Sequence, residues 1–130
     1  MTEQEKKAHF LNLYAMVMAD GVIQPGEMEA IYRIGTENYK LTPAEIAENL
    51  RESNVEPFIP QLPEDRIRSL YDLAIVAWAD GKLAESERSL LRRYCVLYEV
   101  DEANIDELTD FLLNEAHNNE SFENVINKLN

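Results

Sequence analysis

Apolar positions recur along this chain at spacings of three and four, the period of a helix with one face turned inward. Phe10, Leu13, Tyr14 and Val17 share one face of a helix over 4–19, and Met28, Ile31, Ile34 and Gly35 do the same over 25–39. Thr42-Pro43-Ala44-Glu45 starts a third helix. Thr42 can cap it, Pro43 suits its first turn, and Glu45 can reach back to complete a capping box. That helix runs through Ile46 and Leu50 to about residue 53. Pro57, Pro60 and Pro63 then break the pattern and leave room for a short helical turn at most. Val55, Phe58, Ile59 and Leu62 make this stretch too apolar for a free linker.

The pattern resumes near Pro63 and continues to Ala79, with Ile67, Leu70, Leu73, Ala74, Ala77 and Trp78 facing inward. A fifth helix spans 85–98 and carries Leu91, Tyr94, Cys95 and Tyr98 on one side. Asp101 can cap a sixth, bearing Ile105, Leu108, Leu112 and Ala116. Asn118-Asn119-Glu120 ends it, and Ser121 can cap a last short helix with Phe122, Val125 and Ile126. No strand-length run alternates without reading better as helix. The expected fold class is all-α, a compact bundle of about seven helices.

Shifted by 60 positions, the chain partly matches itself. Leu13/Leu73, Ala19/Ala79, Asp20/Asp80, Gly21/Gly81, Glu27/Glu87 and Arg33/Arg93 are identical, and Phe10/Leu70, Ile23/Leu83 and Ile31/Leu91 agree in apolar character. Beyond the second helix of each copy the offset falls to 59, which lays Leu41–Ile46 over Val100–Ile105. Each copy reads as helix, Asp-Gly turn, helix, cap, helix. Units of this kind pack against each other, because half the chain is thin for a separate core. The expectation is one domain over 1–130, with pseudo-symmetric repeats at about 10–53 and 67–113 joined by a connector at 54–66.

Charge narrows the functions. The 130 residues hold 12 Lys and Arg against 25 Asp and Glu, a formal charge of -13, and both halves share the excess. Nucleic acid needs a basic footprint, and none is visible. Arg88, Arg92 and Arg93 read as charge balance for nearby carboxylates. Anionic membranes would repel the net field, while cationic partners and divalent cations suit it. No apolar run is long enough to span a bilayer, and Met1-Thr2-Glu3-Gln4-Glu5 lacks the features of a secretion signal. A cytoplasmic location with no direct membrane insertion is expected.

Catalytic groupings are hard to assemble. Cys95 is the single cysteine and falls on the inward face of its helix, so a core thiol is expected. His9 and His117 form no motif and read as capping or lining helix surfaces. No phosphate-binding loop can be built from four glycines in these contexts, and the serines lack a His/Asp arrangement. The six tyrosines fall beside apolar positions and read as helix packing, with hydroxyls available for the rim.

One element carries candidate chemistry. Asp20-Gly21-Val22-Ile23-Gln24-Pro25-Gly26-Glu27 recurs as Asp80-Gly81-Lys82-Leu83-Ala84-Glu85-Ser86-Glu87. It matches the second half of a calcium-binding helix–loop–helix loop. The positions that should open such a loop with oxygen ligands are Met16 and Met18, and Val76 and Trp78, so a complete loop of that type is rejected. Two readings stay open. If the turns meet, Asp20, Glu27, Asp80 and Glu87 offer four carboxylates, a hard oxygen set suited to Ca²⁺ or Mg²⁺. Otherwise Gly21 and Gly81 end their helices in the left-handed conformation. Ile23 and Leu83 then plug the corners, and Glu27 and Glu87 sit where the next helix dipole favours them.

Ala19-Asp20-Gly21 with Glu27, and Ala79-Asp80-Gly81 with Glu87, resemble the doubled signature of the tellurite-resistance TerB-like family. The likeness runs from about Phe10 to Leu113 and includes length, acidity and the capped third helix. The resemblance implies a bacterial, cytoplasmic, all-helical domain of stress-related systems, also attached to some J-domain co-chaperones. It implies an acidic face for metal or protein, and no catalytic mechanism. The family's acidic positions map onto Asp20, Glu27, Asp80 and Glu87. The function expected is a non-enzymatic acidic interaction module, a stress-associated adaptor with a protein partner. The alternative is a calcium- or magnesium-binding protein using the paired turns.

Overall fold

The computed structural model describes residues 2–17, 25–51, 59–79 and 81–129. Within them α1 spans Glu3–Val17, α2 Pro25–Glu37, α3 Pro43–Arg51, α4 Pro63–Ala77, α5 Glu85–Leu97, α6 Ile105–His117 and α7 Phe122–Leu129. A 3-10 turn, Glu102–Asn104, leads into α6. The fold is all-helical, as the periodicity predicts. No helix among the described residues is long and apolar enough to cross a membrane.

Helix α4 is the hub, packing against α1, α2, α5, α6 and α7. Ser69 to Ala74 are buried without interruption, followed by Val76 and Ala77. A helix segment covered on nearly every side, as this one is from Ser69 to Ala77, cannot show a narrow apolar stripe. Around it, Phe10 and Leu13 of α1, Ile31 and Ile34 of α2, Ile46 of α3, Leu91 and Cys95 of α5, Leu112 of α6 and Val125 of α7 close one continuous core. Ile67, Trp78 and Leu108 pack on its margin rather than inside it. Gly35 lets α2 approach closely. A Cβ there would lie 2.7 Å from Ile46 Cδ1 and 3.3 Å from Phe10 Cε2.

The expected caps are made. The amide of Glu45 donates to Thr42 Oγ1 at 3.1 Å, and the amide of Thr42 donates to Glu45 Oε1 at 3.1 Å. Asp101 Oδ1 accepts from the amide of Ala103 at 3.2 Å, so it caps the 3-10 turn. Ser121 Oγ accepts from the amide of Asn124 at 3.2 Å.

Helix ends fall slightly short of the periodic pattern. Helix α4 stops at Ala77, because the amides of Trp78 and Ala79 turn to the carbonyls of Ile75 and Val76. Helix α5 stops at Leu97, and Glu99 takes a left-handed φ of 63°. There the amide of Val100 returns to the carbonyl of Cys95, five residues back. After α2, Lys40 is left-handed at φ 56°, and the amide of Leu41 returns to the carbonyl of Gly35, six residues back. That extra residue is where the sequence offset changes from 60 to 59.

Candidate functional site

The residues singled out by sequence divide in two. Asp20 and Asp80 lie outside the described residues, as do Gly21, Ile23, Val55 and Phe58 and the side chains of Val17 and Leu50. Glu27 and Glu87 are described. Each is the third residue of its helix, α2 and α5, and each is only 1% exposed. A first-turn carboxylate gains from the helix dipole, but a carboxylate so fully removed from water is uncommon on a helix surface.

Of the two Asp-Gly segments that precede these glutamates, the second is described from Gly81 onward. Pro25 opens α2, with its φ already set for the first turn. In the second corner Gly81 is left-handed at φ 82°, and its amide donates to the carbonyl of Trp78 at 2.9 Å. Leu83 packs at the margin of the core, and Ala84 accepts from the amides of Glu87 and Arg88, both at 3.1 Å. The helix-ending role of Gly81 is therefore met. The start of α2 and the end of α4 touch, since a Cβ on Gly26 would lie 2.9 Å from the carbonyl oxygen of Ala79. Glu27 thus follows directly on a contact with the residue preceding Asp80. Among the described residues, no group of three His, Cys, Asp or Glu is placed to hold a metal ion.

A second set of polar groups is buried around α4. Asp72, in the middle of α4, is 2% exposed. Its Oδ2 accepts from the Tyr39 hydroxyl at 2.5 Å, and its Oδ1 accepts from Asn38 Nδ2 at 3.3 Å. Burial pushes the Asp72 carboxyl up to about 6, against the pull of the Tyr39 bond, the Arg68 charge and the Asn38 bond. Burial, the Asp72 charge and its bond drive the Tyr39 phenol far upward. The His9 ring stands 5.7 Å from that of Tyr39, and burial lowers the imidazole to about 4. One turn along α4, Ser69 Oγ and the Tyr98 hydroxyl share a hydrogen bond of 3.0 Å.

One reading of the sequence changes here. His9 is not on a helix surface. It is 1% exposed, because it sits beside Phe10 on the side of α1 that meets the core. The tyrosines show the helix packing expected of them, with Tyr39, Tyr71, Tyr94 and Tyr98 buried. Tyr71, for instance, donates to the backbone carbonyl of Glu120. Asp72 was missed altogether. Its signal was a charge inside Leu70-Tyr71-Asp72-Leu73-Ala74, apolar on both sides.

The remaining candidates hold the fold. Cys95 is fully buried, its sulfur lies 3.7 Å from Thr109 Oγ1, and burial pushes the thiol up, away from the reactive thiolate. Exposed His117 lies tilted at 44° against Trp78 with ring centroids 4.2 Å apart, while Trp78 Nε1 donates to the carbonyl of Leu113 at 2.8 Å. Arg88 pairs with Asp110 at 2.5 Å and Arg92 with Asp106 at 2.7 Å, the charge balance expected of this basic cluster.

Residues 6–110 match the family described as tellurite resistance protein TerB. No curated protein and no solved structure matches the chain. The family match takes in α1 from its fourth residue, all of α2 to α5 and the first half-dozen residues of α6, together with both Asp-Gly segments of the sequence and the buried Glu27 and Glu87. The chain belongs to the tellurite resistance protein TerB family.

Proposed function

We propose that this protein is a non-enzymatic, acidic helical interaction module of the bacterial cytoplasm, a stress-associated adaptor that works through a protein partner. The observation that carries this reading is where the reactive side chains go. Asp72, Tyr39, Ser69, Tyr98 and Cys95 are buried and bonded to one another or to their neighbours across helices. Among the described residues, most carboxylates other than Glu27, Asp72, Glu87 and Glu115 are exposed. A net charge of -13 favours a cationic protein surface and disfavours nucleic acid and anionic membranes. Family membership supports the same reading.

The domain is one body over 1–130, with copies at about 10–53 and 67–113. Helix bounds support this: α1 and α4 begin and end 60 positions apart, as do α2 and α5. So does burial, since Leu13/Leu73, Glu27/Glu87 and Ile31/Leu91 are matched pairs in the interior. The test of the module is affinity capture with the full chain from its native host, at low and at raised salt. A stoichiometric protein partner released by salt is expected. Recovery of none under several conditions, added calcium and magnesium included, overturns the reading.

A divalent cation at Asp20, Glu27, Asp80 and Glu87 is the second reading. It draws on the depth of Glu27 and Glu87 and on the contact of Gly26 with the Ala79 carbonyl. Calorimetry with Ca²⁺ and Mg²⁺ tests it. Binding heats abolished by Asp20→Ala with Asp80→Ala support a site, and equal negligible heats in both proteins remove it.

A further inference from the structure

A groove of about 1000 Å³ runs between the start of α4, the 3-10 turn and α6, and the end of α7. Its floor is apolar: Ile67, Leu108, Phe111, Ile126 and Leu129 contribute to it. Leu129 is 41% exposed, and Leu62, next to the lining residue Pro63, is 63% exposed. An aliphatic side chain left in water over an apolar floor marks an interaction surface more strongly than an isolated exposed leucine does.

The charged groups of the lining are unequal. Glu64 and Glu107 are exposed and, among the described residues, make no ion pair. Among the described residues, Lys128 is the one cation of the lining. Its ammonium is already held by both carboxylate oxygens of Glu115, at 3.0 and 2.9 Å. The groove therefore presents an apolar floor with an uncompensated acidic rim. A second copy of the chain would bring its own acidic rim and its own charge of -13 to this face, so like charges oppose self-docking.

We propose that this groove docks a cationic amphipathic helix of a partner protein. Aliphatic side chains at helical spacing fill the floor, and Lys or Arg on the helix flanks meets Glu64 and Glu107. This is the helix-in-groove mode, in which apolar anchors give affinity and rim charges set orientation and partner choice. The proposal rests on the reading of the chain as an interaction module and names the partner chemistry of one face.

The test uses the full chain and a fluorescent synthetic helix of Leu and Lys in amphipathic order. A scrambled peptide of equal composition and a Leu/Glu counterpart serve as comparisons. The ordered Leu/Lys helix is expected to bind at least tenfold more tightly than either. Glu64→Lys with Glu107→Lys should weaken it at least tenfold, and so should Leu129→Asp. Glu37→Lys with Glu48→Lys changes net charge equally at exposed sites on α2 and α3 and should cost far less. Equal losses from the two double variants would reduce the effect to bulk electrostatics and overturn the proposal. A concentration-dependent dimer in sedimentation, abolished by Leu129→Asp, would overturn it in favour of a second copy. If Glu64→Lys with Glu107→Lys still retains the partner captured from the host, the groove assignment fails while the module stands.

Discussion

The Tyr39 hydroxyl donates to Asp72 Oδ2 across 2.5 Å, and this bond ties the turn after α2 to the middle of α4. Both groups are about 2% exposed, so neither has water as an alternative partner. A hydrogen bond to a buried carboxylate is worth about 1.5–3 kcal/mol, and its loss leaves the charge with fewer donors. Tyr39→Phe should therefore destabilise the protein by about 2–3 kcal/mol in urea unfolding. It should also raise the Asp72 carboxyl beyond its present value near 6. A cycle with Asp72→Asn isolates the coupling. Additive losses from the two changes would mean that the bond carries no such energy.

The same cluster makes a prediction about pH. Asp72 titrates at about 6 in the fold against 3.8 in its ordinary state. Its contribution to stability is fully present below 3.8 and is lost as pH rises through about 6. His9 titrates at about 4 against 6.5. Its contribution is present above 6.5 and is lost as pH falls through about 4. Each amounts to roughly 3 kcal/mol, and the two slopes oppose each other across the same window. Relative to wild type, Asp72→Asn should lose stability by on the order of 3 kcal/mol between pH 6.5 and 4. His9→Phe should gain as pH falls from 6 to 4. Urea midpoints measured across this range check both, and parallel curves for all three proteins would refute the compensation.

How much of this was legible beforehand depends on the kind of signal. The capping box at Thr42 and Glu45 is local, four residues long, and it forms as read. The apolar faces of α2, α5 and α6 follow a single period and were equally plain. Asp72 and His9 were not, because their roles depend on a residue from another helix, and sequence spacing says nothing of which helices meet. Helix α4 also defeats facial reasoning, since burial on nearly every side from Ser69 to Ala77 leaves no polar stripe to orient it. At the Asp-Gly corners the sequence identified Glu27 and Glu87, but left open whether they are surface or interior. The 1% exposure of both decides that one point. The repeat offset hides a further detail, the one-residue difference between the turns that return to Gly35 and Cys95.

Glycine gives two contrasting tests at the candidate site. Gly26 lies in the first turn of α2, where alanine would ordinarily improve helix propensity by up to about 1 kcal/mol. Here the new Cβ would press to 2.9 Å against the backbone carbonyl of Ala79, which cannot rotate away as a side chain can. Gly26→Ala should therefore destabilise by about 1–3 kcal/mol. Gly81 has open space around its Cα but a φ of 82°, so Gly81→Ala meets no neighbour and suffers only backbone strain of about 1–2 kcal/mol. Gly81→Asn should recover part of that loss, since asparagine tolerates the left-handed region, and should not help at Gly26. Thermal and urea unfolding of the four variants would separate steric contact from strain, and a stabilised Gly26→Ala would show that α2 and the end of α4 do not touch as described.

The cap of α3 offers a local test free of these long-range couplings. Thr42 and Glu45 are both exposed, and each satisfies the other's backbone amide at 3.1 Å. Removal of the hydroxyl leaves one first-turn amide to water, a loss of about 1 kcal/mol. Thr42→Ala should cost that much and Thr42→Ser much less, because serine keeps the accepting oxygen. Glu45→Ala should cost less than Thr42→Ala, as the amide it releases is at the exposed entry to the helix. Since Ile46 packs α3 into the core, the loss should appear in global unfolding and not only as fraying of the helix end. Urea unfolding measures the first and amide exchange of Glu45 and Ile46 the second. Faster exchange with unchanged global stability would mean that α3 opens independently of the bundle.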